Sequence, residues 1–78
     1  MLNLSNNELT EIPKELGNLA NLQALNLEGN RLTTVPKELG YLSNLKKLSL
    51  YDNVDLREIP RELTENETLE IITRIEHI

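Results

Sequence analysis

The stretches LQALNLEGN (residues 22–30) and LKKLSLYDN (residues 45–53) agree in their apolar positions and closing Asn and differ almost everywhere else. In each, LxL places two Leu side chains on the same side of a β-strand, with the residues between and beside them on the other side. The Asn follows where the chain leaves the strand, and its amide can both donate to and accept from backbone groups. The stretches therefore predict strands with a buried Leu face, each ended by a structural Asn.

The same pattern occurs three times along the 78-residue chain. The Asn recurs at intervals of 23 residues, at positions Asn7, Asn30 and Asn53. A Pro recurs at intervals of 23 and then 24 residues, at positions Pro13, Pro36 and Pro60. One residue has therefore been inserted after Asn53, and a period of this length is typical of a repeat architecture.

A short helical segment is predicted after each strand. The recurring Pro suits the first turn of a helix, where its missing N–H costs nothing, and Gly17 and Gly40 suit helix ends. One strand and one short helix per copy, joined by the right-handed crossover that parallel strands require, predict parallel stacking. The Leu side chains fill the space between the two layers, and the variable positions form a surface.

These copies resemble the leucine-rich repeats. LNLSNNELTEIP, LQALNLEGNRLTTVP and LKKLSLYDNVDLREIP fit LxxLxLxxNxLxxIP, the first without its opening positions, and PKELGNLANL, PKELGYLSNL and PRELTENETL are similar to the 23-residue intracellular and bacterial subtype. The resemblance covers about residues 2–69 and implies an α/β right-handed solenoid, with parallel strands on its concave face and short helices or turns on its convex face. We expect a single domain with the following parts: partial repeat 1–21, repeats 22–44 and 45–68, and a C-terminal cap or degenerate repeat 69–78.

The two ends of the chain depart from the regular pattern. At the N-terminus Met1, Leu2 and Leu4 belong to an open layer with an unpaired strand edge, as in a fragment of a longer array or a surface where two copies meet. At the C-terminus we favour a closing strand near residues 70–75, in which Ile71, Thr73 and Ile75 alternate. The alternative is a helix with a capping box at Thr64 and Glu67, and Ile78 on its apolar side.

Composition excludes several classes of function. The net charge is −5 and the eight Lys and Arg are scattered, which argues against binding to nucleic acid or to an anionic membrane surface. No apolar run approaches the roughly 20 residues of a membrane span, and no signal peptide is recognisable. Because the chain contains no Cys, a reducing compartment such as the cytoplasm is the expected location.

Few residues could support catalysis or metal binding. His77 is the only His and lies next to the C-terminal residue, while Ser5 and Ser49 have no His neighbour, so no nucleophile and base are paired. Asp52 and Asp55 lack the spaced oxygen ligands and the Gly of a calcium loop. Asn-x-Ser/Thr acceptor motifs for glycosylation begin at residues 3 and 66 and matter only in a secreted protein. We expect no enzyme activity, metal or cofactor.

The outward strand residues are the candidate protein-binding site. They are Asn3, Ser5, Ala24, Asn26, Glu28, Lys47, Ser49, Tyr51 and Thr73. Together they offer small polar groups around one Glu, one Lys and one Tyr, and Tyr supplies contact area at low entropy cost. The resemblance implies a non-catalytic module that binds a protein partner. The alternatives are a regulatory segment of a larger signalling GTPase or kinase, and a self-assembling module that pairs through its exposed end layers.

Overall fold

The computed structural model describes residues 1–73 and contains a parallel four-stranded sheet with strand order β1-β2-β3-β4. The strands are β1 (Leu2–Asn3), β2 (Ala24–Asn26), β3 (Lys47–Ser49) and β4 (Glu70–Ile72). The segments between them contain two 3₁₀ helices, Lys14–Asn18 and Lys37–Tyr41, and one short α-helix, α1 (Arg61–Thr64). We call residues 1–21, 22–44 and 45–68 coils 1, 2 and 3. The predictions for Arg74, Ile75, His77 and Ile78 concern residues outside the described range.

The Leu residues of the LxL pattern form the core between strands and helices. Leu27 and Leu48 are fully buried, and Leu25 and Leu50 are each 1% exposed. In the sheet register Leu2, Leu25, Leu48 and Ile71 are direct neighbours, so each coil adds one apolar layer to the next. Burial of one such side chain contributes about 1.5–3 kcal/mol to folding. The predicted Leu column and parallel strands are confirmed.

The repeated Asn residues link each coil to the preceding one. Asn30 is 4% exposed, donates from Nδ2 to the carbonyls of Leu4 and Leu27 at 3.0 Å, and accepts from the Leu9 N–H at 3.1 Å. Asn53 repeats this arrangement one coil further along. Buried backbone groups at the bends are thereby satisfied, as the position of the Asn in the sequence predicted.

The residue before each of these Asn residues has a left-handed backbone. The φ angles are 59° at Asn6, 70° at Gly29 and 62° at Asp52. Asn, Gly and Asp are the residues that adopt this conformation at least cost, because a short polar side chain or a missing Cβ relieves the clash with the carbonyl. Together with the Asn that follows, they turn the chain out of the strand.

The helical segments differ in two details from the sequence predictions. Pro13, Pro36 and Pro60 stand just before each helix, and their carbonyls accept the first turn's hydrogen bonds at 2.9–3.1 Å. Gly17 and Gly40 lie within the 3₁₀ helices and not in a left-handed C-terminal position. A Cβ on Gly17 would lie 2.6 Å from the Glu38 carbonyl oxygen of the next coil. These glycines are therefore required by close packing between coils rather than by helix termination.

The last strand confirms one C-terminal prediction and corrects another. Residues 70–72 form β4, so the closing strand is confirmed over that range and the helical alternative is wrong. The residue beside Ser49 in the register is Ile72 and not Thr73. The sequence comparison carried the 24-residue interval of the Pro residues into the strand. One residue is missing between Leu69 and the strand, and this deletion restores an interval of 23.

The two end coils present different surfaces. In coil 1 the core residues Leu2, Leu4, Leu9, Leu16 and Leu22 are only partly buried, because no coil precedes them in the structure. In coil 3 the insertion after Asn53 turns the Leu56 N–H back to the Asn53 carbonyl at 3.0 Å. Thr64 occupies the position of Gly17 and Gly40. Coil 1 therefore retains the features of an interior coil, whereas coil 3 does not.

Candidate protein-binding face

The outward side chains of the four strands form three rows across the sheet. We call this surface the sheet face. Its first row runs Met1, Ala24, Lys47 and Glu70, its second runs Asn3, Asn26, Ser49 and Ile72, and its third runs Ser5, Glu28 and Tyr51. Eight of the nine predicted residues lie in these rows. Thr73 does not, because it follows β4 and lines a cavity at the coil 3 end of the core.

Small residues in the middle of the sheet face create a shallow cup. Ala24, Asn26 and Ser49 form its floor, and the larger side chains of Glu28, Lys47, Tyr51, Met1 and Ile72 surround them. The cup has a volume of about 180 Å³. Tyr51 is 46% exposed at its rim, so aromatic contact area is accessible there.

Two Asn residues on the sheet face have structural roles in addition to their surface position. The Oδ1 atom of Asn3 accepts from the Ser5 N–H at 3.0 Å and from the Ser5 hydroxyl at 2.7 Å. The Oδ1 atom of Asn26 accepts from the Glu28 N–H at 3.0 Å. Because these local bonds fix the amides, each side chain directs its Nδ2 donors away from the backbone in a defined orientation.

Ser49 is part of the floor and not an exposed contact residue. It is 6% exposed, although the sequence predicted that it would be accessible. Its hydroxyl donates to Oε2 of Glu28 at 3.3 Å, across the gap between β3 and β2. The bond holds the half-buried Glu28 carboxylate over the centre of the cup.

The charges of the sheet face are unevenly compensated. Lys47 is in register with Glu70 on the neighbouring strand, and parallel strands are about 4.8 Å apart, so their opposite charges offset one another. In its own row Glu28 lies between Ser5 and Tyr51, which carry no charge at neutral pH. The cup therefore has an excess of negative charge, located at Glu28.

Comparison with known proteins places this geometry in a family. A family model described as "Leucine rich repeat" matches residues 1–32. A solved structure, that of a leucine-rich-repeat (LRR) protein of Leptospira interrogans, matches 91% of this chain with 44% sequence identity and a TM-score of 0.78. The chain belongs to the leucine-rich-repeat proteins. It spans 18% of the length of the Leptospira chain. No match to a curated protein was found.

Three residues of this leucine-rich-repeat sheet face were missed by sequence reasoning. Met1, Glu70 and Ile72 complete the rows, and each lies 23 residues from its neighbour in the row. The signal was present in the sequence, since Ala24 and Lys47 are also 23 apart. It was obscured at the C-terminus by the insertion after Asn53 and the deletion after Leu69, which have opposite effects on the numbering.

Other features of the repeat carry less functional information. The larger cavity at the coil 3 end, about 380 Å³, opens beside Thr73, where the described part of the chain stops. Within residues 1–73 no group of three or more His, Cys, Asp and Glu is arranged to hold a metal ion. Over the same range no helix is long and apolar enough to span a bilayer.

Proposed function

We propose that this leucine-rich-repeat chain is a non-catalytic module that binds a protein partner through its sheet face. The observation that carries the proposal is the cup, in which Glu28 and Tyr51 stand above a floor fixed by the Leu column and by local hydrogen bonds. Such a surface is organised before binding, so little conformational entropy is lost when a partner docks.

The size of the sheet face limits the expected affinity. Four strands of two or three residues provide eleven outward positions, fewer than the 20–30 residues per side of a standard stable interface. Binding by this chain alone is therefore weak and transient. Its specificity comes from shape and from the few charged and aromatic groups at the rim of the cup.

The test compares two matched triple variants in an affinity capture followed by mass spectrometry. E28A/K47A/Y51A removes the large side chains of the cup rim, and E15A/K37A/Y41A removes the same residue types from exposed positions on the helical side. We expect a partner captured by the wild type to be lost with the first variant and retained with the second. Retention with the first variant and loss with the second would overturn the proposal.

Self-association is a second candidate, favoured by the partly exposed Leu side chains of coil 1. In coil 2 the corresponding Leu25, Leu27 and Leu32 are at most 1% exposed, because coil 1 covers them. Two copies that meet at this surface would have a molar mass near twice 8.9 kDa. We expect Leu4→Glu to abolish the dimer and Ala24→Glu, on the sheet face, to leave it intact. A monomer at millimolar concentration excludes this candidate.

A further inference from the structure

The cup is too small for a typical small-molecule ligand and has the dimensions of one side chain. Ligand pockets measure about 300–1,000 Å³, compared with the 180 Å³ found here. A protein partner can therefore use the cup for a single projecting residue. The chemistry of the cup then decides which residue that is.

The floor and one wall of the cup favour an aliphatic segment. Ala24 contributes a methyl group, and Ile72 and Met1 contribute larger apolar side chains on the strands to either side. Ile72 stands where the other strands of its row have polar Asn and Ser side chains. Part of the entering side chain must therefore be apolar.

The opposite side of the cup favours a positive charge. The Glu28 carboxylate accepts one hydrogen bond from Ser49, and an ionised carboxylate has about four acceptor sites, so acceptor capacity remains for a ligand. Its half-buried position reduces solvent screening, which strengthens an interaction with a cation. The nearest positive strand residue in the register, Lys47, is offset by Glu70.

The two preferences lie at the separation that an arginine side chain spans. The row of Ile72 and the row of Glu28 are two residues apart along the strands, or about 6.6 Å. Arg combines a three-carbon stem with a planar guanidinium that can bond a carboxylate through two parallel N–H groups and can stack on an aromatic ring such as Tyr51. Lys has the stem but only a point charge at its end.

We propose, on the basis of the proposed function, that the cup receives one arginine side chain of the partner. The stem lies over Ala24 and Ile72, and the guanidinium bonds the Glu28 carboxylate beside Tyr51. The partner is therefore a protein with an exposed Arg on a projecting loop or terminus.

The test is an NMR titration of the ¹⁵N-labelled full chain with the peptide acetyl-Gly-Gly-Arg-Gly-Gly-amide. Its matched control replaces Arg by citrulline, which has nearly the same shape and no charge. We expect the Arg peptide to shift the amides of Ala24, Asn26, Glu28 and Ser49, and the citrulline peptide to bind about tenfold or more weakly, because a charge-assisted hydrogen bond is lost. Equal shifts with both peptides, or shifts confined to the helical side, would overturn the inference.

Variants of the chain test the role of Glu28 separately. We expect Glu28→Gln to weaken Arg-peptide binding about tenfold and Glu15→Gln, on the first 3₁₀ helix, to leave it unchanged. Thermal unfolding of both variants verifies that they are folded. If the peptide does not bind while E28A/K47A/Y51A still loses the captured partner, the arginine inference fails and the proposed function stands. If that triple variant retains the partner, the proposed function itself fails.

Discussion

The Oδ1 atom of Asn53 accepts a hydrogen bond of 3.1 Å from the backbone N–H of Leu32, one coil earlier, and both residues are buried. The relation repeats between Asn30 and the Leu9 N–H. In coil 1 the amide of Asn7 is exposed and donates only to carbonyls of its own coil, Leu4 and Ser5, among the bonds found in residues 1–73. The same residue type therefore has unequal importance in the three coils.

We expect Asn53→Ala to destabilise the chain by about 2–4 kcal/mol and Asn7→Ala by less than about 1 kcal/mol. The first change leaves the buried N–H of Leu32 and carbonyl of Leu27 without partners, whereas water replaces the exposed amide of Asn7. Urea unfolding followed by circular dichroism measures both values. Equal losses would show that the inter-coil bonds contribute nothing beyond a local turn.

We expect Gly40→Ala to destabilise the chain by about 1–3 kcal/mol, the range for overpacking. The added Cβ would lie 2.9 Å from Cβ and 3.0 Å from the carbonyl oxygen of Glu62, so coils 2 and 3 must separate. Thr64→Ala is the matched control, because Thr64 is exposed at the corresponding position of coil 3. A change within about 0.5 kcal/mol is expected there, and a similar loss at both sites would contradict the packing explanation.

We expect Gly29→Ala to be destabilising for two separable reasons. Its φ of 70° is costly for a residue with a Cβ, and the Cβ would lie 2.5 Å from Oδ1 of Asn6. In Asn6→Gly the steric contact is absent, so Gly29→Ala should cost less in that background. A double-mutant cycle of unfolding free energies measures the difference, and strict additivity would show that the contact with Asn6 is not significant.

We expect Ile71→Asp to destabilise the chain by more than Ile72→Asp does. Ile71 is in register with Leu48 and packs against the core, whereas Ile72 faces outward beside Ser49. A buried unpaired carboxylate costs more than an exposed one, so the difference should exceed about 1 kcal/mol. Thermal unfolding of the two variants tests the register. The reverse order would place Thr73 on the sheet face, as the sequence interval first predicted.

Most of the fold could be predicted from the sequence because each layer repeats the same physical requirement. The apolar strand positions and the structural role of Asn30 and Asn53 follow directly from side-chain alternation and hydrogen-bonding capacity. The prediction for Gly17 failed because its reason lies in the next coil, where Glu38 passes within 2.6 Å of the place of a Cβ. A single copy of the repeat contains no information about that distance.

The candidate site was predicted less completely than the core. The outward positions of β1, β2 and β3 follow from alternation, but the burial of Ser49 depends on Glu28 and Ile72 on neighbouring strands. The register of β4 depends on an insertion and a deletion that nearly cancel. Lateral neighbours in a sheet are separated by a whole repeat in the sequence, so errors in register move a residue from one surface to another.

The most direct test of the binding face is an amide chemical-shift map of the ¹⁵N-labelled chain with its captured partner. We expect the largest perturbations at Ala24, Asn26, Ser49 and Ile72, and little change in the 3₁₀ helices Lys14–Asn18 and Lys37–Tyr41. Perturbations concentrated in those helices, with the four strand amides unchanged, would contradict the assignment of the sheet face as the binding surface.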